Sequence, residues 1–236
     1  MDFILKTTDL CKSFKGQIAV NHVSINIQRN SVYGLLGPNG AGKSTILKMI
    51  TGILRPDSGE ILFDSHTWSR KDLNHIGALI ETPPLYENLS AYENLKVKAL
   101  TLEISEKRIY DILKVVQLEN TGRKKAKNFS LGMKQRLGIA LALLAQPKLL
   151  ILDEPTNGLD PIGIQDLRRL IRSLPEQGIT VILSSHILSE VEQIVDHIGI
   201  LANGKLSYET KIYKDIDLES IFMKVVSENR EGINND

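Results

Sequence analysis

Gly37-Pro38-Asn39-Gly40-Ala41-Gly42-Lys43-Ser44-Thr45 runs on directly from Val32-Tyr33-Gly34-Leu35-Leu36. The five residues before the loop are a short, continuous apolar run, as buried strands have. Residues 43–50 have helical spacing and stop near Gly52. A strand, a glycine-rich turn and a helix in this order open an α/β unit. The turn matches G-x-x-x-x-G-K-[ST] without deviation, and that spacing has a physical reason. Glycine and small residues let the backbone curl until several N–H groups point inward at one anion. Lys43 adds a positive charge. The Ser44 hydroxyl can bind a divalent cation, and the helix aims its positive end at the same place. The stretch reads as a phosphate cradle.

Outward from the cradle, residues 4–10 and 23–27 alternate apolar and polar, which predicts half-buried antiparallel strands. Pro56-Asp57-Ser58-Gly59 predicts a turn and residues 60–63 a strand. From about Ser90 to Leu144 the pattern becomes helical, with helices expected over 92–102, 106–116 and 134–144. Residues 149–152 and 180–183 are again short apolar runs, each followed by a helical pattern, over 164–173 and 188–195. Alternating strands and helices imply a mostly parallel sheet with helices on its faces. Past Tyr213 one helix is expected over 218–226, and the polar residues 227–236 are expected to fray.

Three further stretches carry chemistry. Leu149-Leu150-Ile151-Leu152-Asp153-Glu154 is an apolar strand ending in two carboxylates. Asp153 at the strand end can hold Mg²⁺ through its water shell, and Glu154 is placed to polarise an attacking water as general base. Ser184-Ser185-His186 follows the strand over 180–183, so His186 can reach a terminal phosphate. Ser130 precedes an apolar-striped helix as its N-cap, and that helix start is a second place for a phosphate.

The bulk properties exclude several classes. The 236 residues are 42% hydrophobic and 24% charged, an ordinary globular composition with material for a sizeable core. The net charge of +1 gives no broad field for nucleic acid. The basic run Arg123-Lys124-Lys125-Ala126-Lys127 reads as a solvated loop. Cys11 stands alone, which fits a reducing cytosol. The start has no basic region followed by a long apolar stretch, unlike a secretory leader. The apolar stretches 137–145 and 149–152 are split by Gln146-Pro147-Lys148 and are too short to span a membrane.

Taken in order, these residues resemble the ATP-binding-cassette (ABC) family over about residues 4–206. Walker A falls at 37–45, the Q-loop position at Glu81, the signature at 130–133, Walker B at 149–153, the catalytic glutamate at Glu154, the D-loop at Gly158-Leu159-Asp160 and the switch at His186. Phe14 falls where an aromatic stacks on adenine. The resemblance implies an α/β P-loop NTPase fold. It has a core over 1–86 and 145–212 with an antiparallel β part, a helical subdomain over 87–144 and a tail over 213–236, all in one cassette. It implies ATP and Mg²⁺ as cofactors. ATP is held by Phe14, residues 37–45, Ser130 and Gly132, the metal by Ser44, Glu81 and Asp153, and the chemistry is carried by Glu154 and His186. It also implies a head-to-tail dimer in which the signature of one chain completes the Walker A site of the other. Transmembrane permease subunits are then the remaining partners, no nucleic acid is involved, and the cytoplasmic chain sits at the inner face of the cell membrane.

Two positions depart from the family pattern. The signature L-S-G-G-Q is Phe129-Ser130-Leu131-Gly132-Met133 here, so Ser130 and Gly132 are kept and Leu131 replaces a glycine. The Q-loop glutamine is Glu81, which offers a full negative charge where Gln offers a neutral carbonyl. Glu81 with the string Ser130-Leu131-Gly132-Met133-Lys134-Gln135-Arg136 is similar to the cassettes of lantibiotic-immunity exporters, which remove antimicrobial peptides from the producer's membrane. Cargo is chosen largely by the membrane chains, so a drug, a lipid or another peptide stands as the alternative. A soluble cassette ATPase acting on DNA or ribosomes is less favoured, because no basic extension is present.

Overall fold

The computed structural model describes residues 2–213 and 217–231, with the side chains of 228–231 left out of the description. The strands are β1 (Phe3–Phe14), β2 (Gln17–Val23), β3 (Asn26–Gln28), β4 (Val32–Leu36), β5 (Ser58–Phe63), β6 (His66–Thr67), β7 (Ile76–Leu79), β8 (Leu149–Leu152), β9 (Thr180–Ser185), β10 (His197–Ala202) and β11 (Lys205–Lys211). The helices are α1 (Lys43–Ile50), α2 (Ala91–Thr101), α3 (Glu106–Val115), α4 (Leu131–Leu143), α5 (Pro161–Ser173), α6 (Leu188–Val191) and α7 (Leu218–Glu231).

The main sheet has the order β11-β10-β4-β9-β8-β7. Every neighbouring pair is parallel except the edge strand β11, which returns antiparallel to β10. A second, antiparallel sheet has the order β2-β1-β5-β6, with β3 also on β1. Strand alternation splits the core in two. Val32, Leu36, Leu150, Leu152, Val181 and Leu183 face the helices α2 to α5. Tyr33, Leu35, Leu149, Ile151 and Ile182 face α1 and the antiparallel sheet. Both faces of β4, β8 and β9 are thus buried, which is why these strands read as unbroken apolar runs.

Helices α2 to α4 form one layer against the first face. Ser90 and Glu93 close a capping box at the start of α2. The buried Asn94 amide donates to the carbonyls of Tyr86, Leu89 and Ser90, which ties the entry loop to that helix. No helix among the described residues is long and apolar enough to cross a membrane.

Several expectations are corrected. Strand β7 was not anticipated. Gly77 interrupts its pattern because a Cβ there would lie 2.4 Å from the Ala142 carbonyl of α4. The hairpin β10–β11 was also missed, although Asn203-Gly204 between two strand patterns is a strong hairpin signal. Helix α6 ends at Val191, not at Val195. Arg168 of α5 donates to the carbonyls of Ser189 and Glu190, and so supplies from outside the partners that a helix running to Val195 would supply from within. Helix α7 continues past Val226 to Glu231, and the expected fraying of 232–236 lies outside the described residues. The basic run is more than a solvated loop. Lys125 pairs with Glu93 at 3.0 Å, Ala126 is buried, and the N–H groups of Ala126 and Lys127 donate to Leu89 and Glu87.

Candidate active site

Strand order brings the chemistry together. The carboxyl ends of β4, β9 and β8 lie side by side, with Leu36 level with Ser185 and Leu152 level with Leu183. The chain leaves those ends at Gly37, His186 and Asp153 in turn. Binding at the carboxyl ends of parallel strands is the general habit of open α/β sheets.

The loop after β4 is braced on several sides. A Cβ at Gly37 would lie 2.4 Å from the Leu201 carbonyl, and one at Gly42 would lie 2.5 Å from the Ala19 carbonyl. Gly42 also has φ +104°, a conformation open mainly to glycine. The Gly204 N–H donates to Ala41 at 3.2 Å, so the β10–β11 turn props the cradle from outside. A cleft of about 220 Å³ lies over the loop, lined by Ala19, residues 39–45 and Glu154. Asn39, Gly40, Ala41, Ser44 and Thr45 are all in that lining. Pro38 contributes its carbonyl to Lys43 instead.

Lys43 is only 5% exposed, and its ammonium is fully engaged. It donates to the carbonyls of Gly37 at 2.8 Å and Pro38 at 3.2 Å, and lies 3.2 Å from Oε1 of Glu154. The other oxygen of Glu154 receives the Nδ1–H of His186 at 2.8 Å. A carboxylate can only accept, so this contact fixes the His186 proton on Nδ1. One carboxylate therefore bridges the loop lysine and the histidine after β9. The backbone of Glu154 has φ +49°, a left-handed conformation that costs a non-glycine residue about 1 kcal/mol. Its N–H is held by the Ser184 hydroxyl at 2.9 Å.

Ser184 is the residue that the sequence reading missed. It is fully buried, donates its hydroxyl proton to Asp153 at 2.6 Å and accepts from Glu154. In Ser184-Ser185-His186 the histidine stands out, yet a polar residue ending an apolar strand is itself a signal. Ser184→Ala takes a partner from the buried Asp153 carboxylate and from the half-buried Glu154 N–H. The expected cost is about 2 kcal/mol, read as a fall in melting temperature of roughly 4–8 °C.

The remaining predicted residues fall at different distances from the cradle. Phe14 is 44% exposed at the end of β1, beside the turn that leads into β2 and Ala19, with Lys12 Nζ 5.7 Å from its ring centre. Ser130 caps α4, accepting the Met133 N–H at 3.3 Å, and neither it nor Gly132 lines the cleft over the loop. Leu131 is 49% exposed and leans on the D-loop, where a Cβ on Gly158 would come within 2.8 Å of its Cδ2. Glu81, 66% exposed, accepts from Lys48 Nζ at 2.6 Å. The lysine's hydrogen bond and charge hold the Glu81 carboxyl below its usual pKa. No three His, Cys, Asp or Glu side chains converge as a metal cage among the described residues. The oxygen donors at the cradle, the Ser44 hydroxyl in the cleft lining and the buried Asp153 carboxylate, are the kind that Mg²⁺ takes.

A parallel sheet with a phosphate loop at its carboxyl edge, a buried lysine, and a carboxylate and histidine facing it defines a P-loop nucleotide-hydrolysing protein. The chain belongs to the ABC transporter family, whose model matches residues 20–157. As a member of that family it binds ATP and hydrolyses it to drive transport. It is 52% identical over 219 residues to the lantibiotic transport ATP-binding protein SrtF of Streptococcus pyogenes, covering 93% of this chain and 96% of that one. It is 51% identical over 214 residues to the bacitracin transport ATP-binding protein BcrA of Bacillus licheniformis, covering 89% and 70%. The solved structure of cbiO1 from Clostridium perfringens, part of the ABC transporter complex cbiONQ, superposes with a TM-score of 0.85 at 33% identity, covering 95% of each chain.

Proposed function

We propose that this chain powers the export of an antimicrobial peptide, as its similarity to SrtF and BcrA supports. It works as a homodimer of cassettes on transmembrane permease subunits, at the inner face of the cell membrane. The observation that carries the chemical part is the Glu154 carboxylate, shared between Lys43 at 3.2 Å and His186 at 2.8 Å beside the phosphate loop. In this reading Lys43 and the N–H groups of 37–45 hold the triphosphate, and Phe14 stacks on the adenine. Ser44, Glu81 and Asp153 would hold Mg²⁺. Mg²⁺, when bound, neutralises phosphate charge and orients the terminal phosphate. Glu154 accepts a proton from the attacking water, and His186 orients Glu154 and senses the terminal phosphate. Ser130 and Gly132, at the start of α4, act on the partner's nucleotide.

The cassette divides into the core of 1–86 and 145–212, the helical subdomain of 87–144 and the tail beyond. Where core and helical subdomain meet, a groove of about 320 Å³ is lined by Pro84, Tyr86, Val97, Lys98 and Leu102 among others. Exposed apolar side chains line it beside the Glu81 segment, which suits it to receive the permease.

The test is peptide protection. A susceptible strain that makes this chain with its membrane subunits is expected to survive a higher concentration of a lantibiotic. Resistance to drugs but not to peptide would move the cargo to the alternative class. In the same assay Glu81→Gln is expected to lower protection and permease-stimulated ATPase activity by about 3- to 10-fold, the size of a lost charge-assisted contact. Unchanged values in both would remove Glu81 from the coupling path.

A further inference from the structure

Lys48 stands four residues past Ser44 on α1, and positions i and i+4 share a helix face. Its side chain therefore leaves the helix one turn beyond that of Ser44, on the same side. Glu81 reaches it from across the fold. Strand β7 runs beside β8 up to the pair Leu79↔Leu152, and the Asp153 N–H donates to the Leu79 carbonyl at 2.9 Å. Glu81 follows two residues later, next to the strand end that carries Asp153. The segment beyond it is pinned to the helical layer, because a Cβ on Gly138 of α4 would meet the Pro83 Cβ at 2.8 Å. The ion pair thus joins the helix that opens at the phosphate loop to a segment seated on the helix that opens at Ser130.

An exposed ion pair of this kind adds little to folding. With Lys48 27% and Glu81 66% exposed, stability does not account for a contact of 2.6 Å at this place. Charge does. A glutamate at the Q-loop position brings a negative charge toward a site that must also take a triphosphate, and the nearest cation the structure pairs with it is Lys48.

We propose that Lys48 is a positioning residue for Glu81: it holds the carboxylate within one turn of Ser44 and cancels its charge toward the nucleotide. The inference rests on the reading of Glu81 as part of the metal–nucleotide site. It makes Lys48 and Mg²⁺ alternative partners of one carboxylate. Without the lysine, the carboxylate opposes free ATP and turns to the metal instead.

The experiment measures binding of a fluorescent ATP analogue to the full chain in EDTA, then titrates MgCl₂. Lys48→Gln is expected to weaken binding in EDTA by about five-fold and to lower the half-saturating Mg²⁺ concentration by a similar factor. Lys48→Arg, which keeps the charge, is expected to match the unmodified protein. In a Glu81→Gln background, Lys48→Gln is expected to change neither value by more than about two-fold, since the lysine then has no carboxylate to hold or to neutralise. Equal melting temperatures would show that all variants fold. The inference is overturned if Lys48→Gln changes neither value, or changes both equally with Gln at position 81. If Glu81→Gln raises the Mg²⁺ requirement while Lys48→Gln behaves as unmodified protein, the metal reading stands and the Lys48 inference falls. If Lys48→Gln weakens EDTA binding only when Glu81 is present, while Glu81→Gln leaves the Mg²⁺ requirement unchanged, the metal reading falls and charge compensation stands.

Discussion

Glu154→Gln is expected to slow steady-state ATP hydrolysis by about 10²–10³-fold while ATP affinity stays within a factor of a few. The substitution keeps size and shape, and Gln tolerates the left-handed backbone at position 154 as well as Glu does. The Ser184 contact is made to the backbone N–H, so it survives the exchange. What is lost, in the proposed mechanism, is the proton acceptor. The amide oxygen can still meet Lys43 or the His186 N–H, but it cannot take a proton from water at neutral pH. Phosphate release measures the rate, and fluorescent nucleotide titration measures the affinity. If affinity falls in parallel with rate, the main task of Glu154 is to hold Lys43. A loss under ten-fold would assign the proton transfer elsewhere.

What could be read in advance follows from how local each cause is. Strand β4, the loop and α1 were placed to the residue, because an apolar run, a glycine pattern and a helical stripe are all written within a few neighbours. The same holds for β8. The short extent of α6 was not legible, since Arg168 of α5 reaches the carbonyls of Ser189 and Glu190 from another element. Strand β7 was hidden by Gly77, which is there to let α4 approach and says nothing about strands on its own. In the site, the residue types at Lys43, Asp153, Glu154 and His186 could be picked out from motif order. Their mutual geometry could not, because it follows from β9 lying between β4 and β8. Ser184 stayed hidden for that reason: its value lies in what the neighbouring strand end presents to it. Glu81 was visible as a departure from the family pattern, whereas its partner Lys48 looked like any polar residue on the wetter side of a helix until the fold set the two together.

Two inactive chains are expected to restore each other when mixed. The first is Glu154→Gln, with an intact signature. The second is Ser130→Asp, with an intact loop and base. Aspartate is a good N-cap, so it can accept the Met133 N–H as Ser130 does at 3.3 Å, and α4 should keep its start. Its charge sits where a phosphate would have to come, so the variant should bind ATP on its own loop yet fail to close on a partner's. In a head-to-tail dimer of the two, one site combines both defects and the other has none. Random pairing makes half of the dimers mixed, each with one intact site, so about a quarter of the full activity should return. A site built within one chain gives the opposite result, because each chain would carry its own defect in every assembly. Activity no higher than that of either variant alone, with dimers present by light scattering, would therefore place Ser130 and Glu154 in the same chain's site. Recovery that rises with the mixed fraction would assign the signature to the partner.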